Sequence, residues 1–281
     1  MRFKIIADSS ADITGSYYKG ETAFDYGCVP MSINGPNHIT LVDLEPVDAV
    51  QFALKPKEVK GPWSSSCPSP ASYLKELQGA EAAFIVTISS RLSASYSTAC
   101  MAADMARAEN PGVKIHVVDS KMASAGTAHI VLKLEELIKA GLSFDEICSE
   151  IEAFRKTLTL YFLIGSLDTL ISAGRVKRVA GMMASVLNIH PICGEDGDGN
   201  IKIYQKVRGF TPALNRMIEM LGERGDTQGK HLIITHCNNP EDAEVLKNAA
   251  ARLYHFDRIT VMPMRGLASF YAGDHGLIVS F

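Results

Sequence analysis

Ala82-Ala83-Phe84-Ile85-Val86-Thr87-Ile88-Ser89-Ser90-Arg91-Leu92-Ser93-Ala94-Ser95-Tyr96 runs from an apolar, β-rich stretch straight into a cluster of hydroxyls. A short apolar run bounded by small polar residues reads as a strand buried on both faces, the kind that parallel sheets contain. The same sentence is written twice more in the first half. Phe3 to Ala7 ends on Asp8-Ser9-Ser10, and Lys114 to Val118 ends on Asp119-Ser120. Segments of helical periodicity separate the three runs, which predicts a parallel α/β arrangement. In an open parallel sheet the carboxyl ends of the strands lie along one edge, and ligands bind where the strand order reverses. Three hydroxyl-bearing strand ends on that edge predict a polar binding crevice, although Ser and Asp there also serve as ordinary helix caps.

Helix boundaries agree with this division. Ser69-Pro70 is an N-cap followed by proline at the first helical position, and Ser143 with Glu146 forms a capping box ahead of Ile147, Ile151 and Phe154. From about Leu158 the pattern changes. Tyr161 to Ile164, Ile201 to Gln205, Leu232 to Thr235 and Ile259 to Met262 are predicted strands, with helices near Pro212 to Leu221 and from Asn239-Pro240 to Tyr254. A chain of 281 residues is long for a single core. The reading is therefore two α/β domains, 1–157 with the parallel sheet and 158–281 with a more mixed one.

Composition narrows the function. Hydrophobic residues at 47% and charged residues at 21% are those of a folded globular chain with apolar material for a pocket as well as a core. Lys and Arg number 28 against 31 Asp and Glu, a net charge of −3 without any dense basic run, which argues against nucleic acid. No stretch approaches the roughly 18 apolar residues of a membrane span, and the N-terminus lacks the pattern of a signal peptide. Six scattered cysteines, Cys28, Cys67, Cys100, Cys148, Cys193 and Cys237, have no metal-ligand spacing and suit a reducing cytoplasm.

Most motif-like stretches fail on inspection. Asp196, Asp198 and Asn200 alternate as in a calcium loop, but Ile201 stands where that loop needs glycine and Val207 where it needs glutamate. Gly194 to Asn200 is instead expected to be the turn of a hairpin joining Pro191-Ile192-Cys193 to Ile201-Lys202-Ile203. Neither a phosphate-binding glycine loop nor a GxSxG elbow is present. What remains is the hydroxyl-rich pair of segments, Gly61 to Pro70 in a proline-bounded loop and Ser89 to Tyr96 after a strand, which together suit a carboxylate or phosphate.

Asp8-Ser9-Ser10-Ala11-Asp12, Ser65-Ser66-Cys67-Pro68-Ser69-Pro70 and Ser90-Arg91-Leu92-Ser93-Ala94-Ser95-Tyr96, in that order, resemble the DegV family of bacterial fatty-acid-binding proteins. The likeness continues through Asp119-Ser120, Leu167-Asp168-Thr169-Leu170, Gly174-Arg175-Val176, Leu187-Asn188-Ile189-His190-Pro191-Ile192 and Lys206-Val207-Arg208. What the resemblance implies is a two-domain α/β lipid-binding protein, not an enzyme. One long acyl chain such as palmitate, stearate or oleate would lie in an apolar tunnel between or within the domains, without cofactor or metal. It implies Ser65, Ser66, Ser90 and Ser93 as carboxylate-binding candidates, Arg175 near the headgroup, and a separate fatty-acid kinase subunit as partner. Four positions depart from the family pattern: Tyr271 replaces a headgroup histidine with His275 in place of a glycine, His190 stands for the usual lysine, and Cys67 for a glutamine. Tyr271 still carries a hydroxyl for the ligand. Met182 and Met183 are candidates for a tunnel wall, with core packing as the alternative. Two other classes compete with the carrier: an acyl-ester hydrolase or acyltransferase using the same serines with His275 or His190 as base, and, by fold analogy alone, a sugar or polyol phosphotransfer module.

Overall fold

The computed structural model describes residues 2–46, 48–176, 188–224 and 226–281. The first apolar run forms β1 (Phe3–Asp8), followed by β2 (Phe24–Val29). Three short strands come next, β3 (Ser32–Asn34), β4 (Thr40–Val42) and β5 (Ser64–Ser66), with α1 (Ala49–Glu58) between the last two. The first half continues through α2 (Pro70–Leu77), β6 (Ala82–Thr87), α3 (Ser95–Glu109), β7 (Lys114–Asp119), α4 (Ala125–Lys139) and α5 (Phe144–Arg155). The second runs β8 (Leu160–Leu163), α6 (Asp168–Ser172), β9 (Ile189–Glu195), β10 (Ile201–Arg208), α7 (Phe210–Glu223) and β11 (His231–His236), then α8 (Pro240–Leu253), β12 (Arg258–Pro263), α9 (Gly266–Ala272) and β13 (Leu277–Ser280).

The caps follow from local chemistry. Ser69 accepts from the Ser72 amide with Pro70 behind it, Asn239 does the same for Asp242 ahead of α8, and Ser143 and Glu146 close their box reciprocally. The segment from Ser64, expected as a loop, begins as strand β5, antiparallel to β3 with Ser65 opposite Ile33. Three residues are too few to show a period of two in sequence. Asp196 to Asn200 is the hairpin turn between β9 and β10, and the Asp196 carboxylate is consumed by the Asp198 amide and by the amide and side chain of Asn200. Among the described residues no group of three or more His, Cys, Asp and Glu is arranged to hold a metal, and no helix is long and apolar enough to cross a membrane.

Strands β2-β1-β6-β7 form a wholly parallel sheet, whose order reverses between β1 and β6. The second sheet, β10-β9-β8-β13-β11-β12, is antiparallel except for the β11–β12 pair. Period-two alternation gives each sheet two buried faces. On β6, Ala83 and Ile85 pack under α2 and α3, while Phe84 and Val86 face α4 and α5. On β8, Leu160 and Phe162 face that same middle layer, while Tyr161 and Leu163 face α7 and α8. The result is helix, sheet, helix, sheet, helix, with α4 in the centre. Its residues Ala125 to Leu132 are buried without a break, as a helix hemmed on all sides must be. The small sheet β4-β3-β5 lies beside this stack, where Met31, Ile33, Phe52, Ile88, Leu267 and Phe270 make a separate apolar cluster with α1 and α9.

Candidate functional site

The three hydroxyl-rich strand ends do converge, and a buried carboxylate gathers them. Asp8, at the end of β1, accepts from the Ser10 amide at 3.2 Å, the Ser10 hydroxyl at 2.5 Å, the Ile88 amide at 3.0 Å and the Ser95 hydroxyl at 2.5 Å. Because Ile88 follows β6, this contact bridges the point where the strand order reverses. Burial raises the Asp8 carboxyl above its usual range, against the four hydrogen bonds that favour its charge. Ser95 in turn pairs with the Tyr73 hydroxyl at 2.6 Å, and its amide donates to Ser93 Oγ at 3.2 Å, which leaves the Ser93 proton available. At the end of β7, Asp119 accepts from the amide and hydroxyl of Ser90.

Beside these loops a cavity of about 840 Å³, its open mouth included, lies between the two sheets. Its apolar wall comes from Leu160, Phe162 and Ile164 on and after β8, Ile278 on β13, Leu170 on α6, Leu267 and Ala268 on α9, and Met31, Ile88 and Leu92 from the first half. Leu160, Phe162 and Ile164 are alternate residues, so the pleat that buries one face of β8 against α7 turns the other toward the cavity. Hydroxyls supply most of the polar lining: Ser10, Ser65, Ser93, Ser124 and Tyr271, with Arg175, Lys121, Glu195 and Asn200.

Of the six residues expected to meet a ligand, four line this cavity together. Ser65 Oγ and the Tyr271 hydroxyl are 2.8 Å apart, a pair formed across most of the chain, by β5 from one side and α9 from the other. Ser93 and Arg175 complete the four. Arg175 donates through Nε to the Leu92 carbonyl at 3.0 Å and through Nη1 to the Ala173 carbonyl at 2.6 Å, so it is fixed against the serine loop. Ser66 and Ser90 lie outside the lining. Strand alternation leaves Ser66 exposed, where it accepts from Asn34 at 2.7 Å, and the Ser90 hydroxyl donates to Asp119 at 2.6 Å. His275 is exposed beside Asp274, and His190 Nε2 sits 3.1 Å from Asn188 Oδ1; neither histidine lines the cavity. Met182 and Met183 lie outside the described residues.

Sequence reasoning missed the framework behind α9. Asp43 and Arg265 form a fully buried ion pair at 3.3 Å, and Asp43 also accepts from the amides of Gly266 and Leu267, capping the helix that carries Tyr271. Asp12 accepts from the Arg265 amide at 2.7 Å and from the Ser124 hydroxyl. Burial pushes the Asp12 carboxyl up to about 7, with the charge of Asp43 adding to the effect. Ser124 holds φ 51° and ψ −120°, a conformation that side-chain-bearing residues avoid. Nothing in its neighbourhood in sequence signals this, since Ala123-Ser124-Ala125 has no turn chemistry. Lys121 and the hairpin tip were missed too. The Ser89 hydroxyl donates to the Gly199 carbonyl at 2.8 Å, which seats the β9–β10 turn on the serine loop as one wall of the cavity.

Comparison with known proteins gives three consistent findings. A family model described as "Uncharacterised protein, DegV family" matches residues 2–281. A DegV domain-containing protein of Streptococcus pyogenes serotype M1 is 32% identical over 100% of this chain and 99% of its own. Two crystal structures superpose closely on the whole fold. A DegV family protein from Ruminococcus gnavus, refined with vaccenic acid, matches with TM-score 0.92 and 29% identity, covering 99% of each chain. The fatty acid kinase (Fak) B3 protein of Streptococcus pneumoniae, loaded with linoleic acid, matches with TM-score 0.91 and 29% identity, covering 100% of this chain and 99% of the other.

Proposed function

The chain belongs to the DegV family, and from that premise and the geometry of the cavity we propose that it binds one long-chain fatty acid and presents it to a partner enzyme. The observation that carries the reading is a largely aliphatic cavity whose polar lining is mostly hydroxyls, with Arg175 beside them, the equipment for holding an acyl chain by burial and its carboxylate by direction. Each methylene buried is worth about 0.8 kcal/mol, so a chain of sixteen or so carbons supplies the affinity while a few donors orient the head. Ser93 and the Ser65–Tyr271 pair keep protons to donate, and Arg175 supplies charge. The relatives crystallised with vaccenic and linoleic acid support this assignment.

In this reading the chain divides into domains at 157/158, works in the cytoplasm with its six cysteines as free thiols, and needs no cofactor. The partner is a fatty-acid kinase subunit, a role the likeness to the Fak B3 protein supports. Catalysis by the chain itself has less support. An acyl-ester hydrolase or acyltransferase with His275 or His190 as base needs that histidine within reach of a cavity serine, and neither is in the described lining. Native mass spectrometry of the purified protein, with lipid analysis after denaturation, tests the proposal. A single fatty acid per chain, or stoichiometric uptake of added oleate or palmitate, is the expected result; an empty protein that takes up neither overturns it.

A further inference from the structure

The cavity wall carries two kinds of hydroxyl, and their difference follows from where each proton is held. A serine hydroxyl has one proton to donate and two lone pairs to accept with. At Ser93 the oxygen accepts from an amide, so the proton is free for a ligand. At Ser10 and Ser124 the opposite holds: each donates its proton to a buried carboxylate, Ser10 to Asp8 at 2.5 Å and Ser124 to Asp12. Both residues line the cavity, and with their protons committed the two oxygens have only lone pairs to offer, one of those on Ser124 being taken by the Thr235 hydroxyl at 2.7 Å. They are also neighbours, since the Ser124 amide donates to the Ser10 carbonyl at 2.9 Å. With a carboxylate behind each, this part of the wall repels the acid's own carboxylate and sends it to the Ser65, Ser93, Tyr271 and Arg175 group. The disfavoured backbone of Ser124 is a cost of the kind that folds retain at sites of function.

We propose that Ser10 and Ser124 form a second polar subsite of the acyl cavity, which accepts a hydrogen bond from a hydroxyl on the chain of the ligand, making hydroxylated long-chain fatty acids a ligand class of this protein. The inference rests on the acyl-binding reading above. It separates the two carboxylates at the strand ends from a purely structural role, because they fix the direction of the hydrogen bonds and not only the positions of the loops. Asp12 commits the Ser124 proton, and the Thr235 hydroxyl at 2.7 Å takes one of the two remaining lone pairs on Ser124 Oγ, so one is left for a ligand.

The test is competition binding of stearic, 10-hydroxystearic and 12-hydroxystearic acid to the full chain, at a pH about 1.5 units above the raised Asp12 value so that this carboxylate, which faces Asp43 and Arg265, is ionised. The expected result is that at least one hydroxy acid binds about fivefold or more tighter than stearic acid, the worth of one hydrogen bond to a buried acceptor. That ratio falls to about one when Ser10→Ala and Ser124→Ala are combined. Equal or weaker binding of both hydroxy acids to the unmodified protein overturns the proposal, as does a preference that survives both substitutions. The unmodified protein decides the first point even if a variant fails to fold. Failure of all three acids to bind removes the acyl-binding reading itself, an outcome distinct from a protein that takes stearic acid without preference.

Discussion

Ser65 and Tyr271 act as one unit, since each hydroxyl is the other's partner at 2.8 Å and a ligand carboxylate would meet the pair and not either member alone. Removing one hydroxyl leaves the other free to reorient toward the ligand. Ser65→Ala and Tyr271→Phe are each expected to weaken oleate binding about fivefold, and the double variant to lose less than the product of the two. Titration calorimetry on the four proteins checks this, and strictly multiplicative losses would show two independent contacts. At this scale the sequence was only partly readable. Ser65, Ser93, Arg175 and Tyr271 could be singled out because the order of motifs resembles a family, not because any one of them is distinctive. Ser66 was grouped with them because a run of serines does not show which alternate residue faces inward until the strand register is known, and Ser90 because its partner, Asp119, is distant in sequence. Ser124 gave no sign at all, as its backbone angles are imposed by contacts with Asp12 and Thr235, more than a hundred residues away in each direction.

Elements with strong local signals were legible and those without were not. The apolar runs of β1, β6, β7 and β11, the capping box of α5 and the Asn239-Pro240 start of α8 all state their structure within ten residues. The small sheet does not. Strands β3, β4 and β5 have three residues each and exist because the first half folds them against α9. Strand β13 is likewise defined by its non-local partners, β8 and β11. The hairpin β9–β10 was legible as a turn but not as a wall of the site, which depends on the close approach of Gly199 to Ser89. A Cβ at Gly199 would stand 2.4 Å from Ser89 Oγ and 3.1 Å from the Lys121 backbone, and φ is +91°. Gly199→Ala is therefore expected to cost about 1–3 kcal/mol in denaturant unfolding and to weaken oleate binding by displacing the tip from the serine loop. An unchanged midpoint would mean that the tip is not seated there in solution.

For the molecule as a whole, the largest apolar core belongs to neither half. Phe84 and Val86 from the first sheet, Ile130 and Leu134 from α4, and Phe162, Ile233 and Ile278 from the second sheet pack into one continuous body. Two halves that share a core cannot melt apart without exposing it. A single calorimetric transition is expected, with agreement between calorimetric and van't Hoff enthalpies; two resolved transitions would show that the shared layer does not couple them. The central helix has a further implication, for descent. A buried residue on α4 answers to two sheets at once, so a change that suits one neighbour offends the other, and drift at those positions is expected to be slow. Lineages that adopt a different cargo would have to rewrite the binding space from its outer contributors, β8, β13 and α9, and α4 should read among such relatives as the part of the text that none could afford to edit.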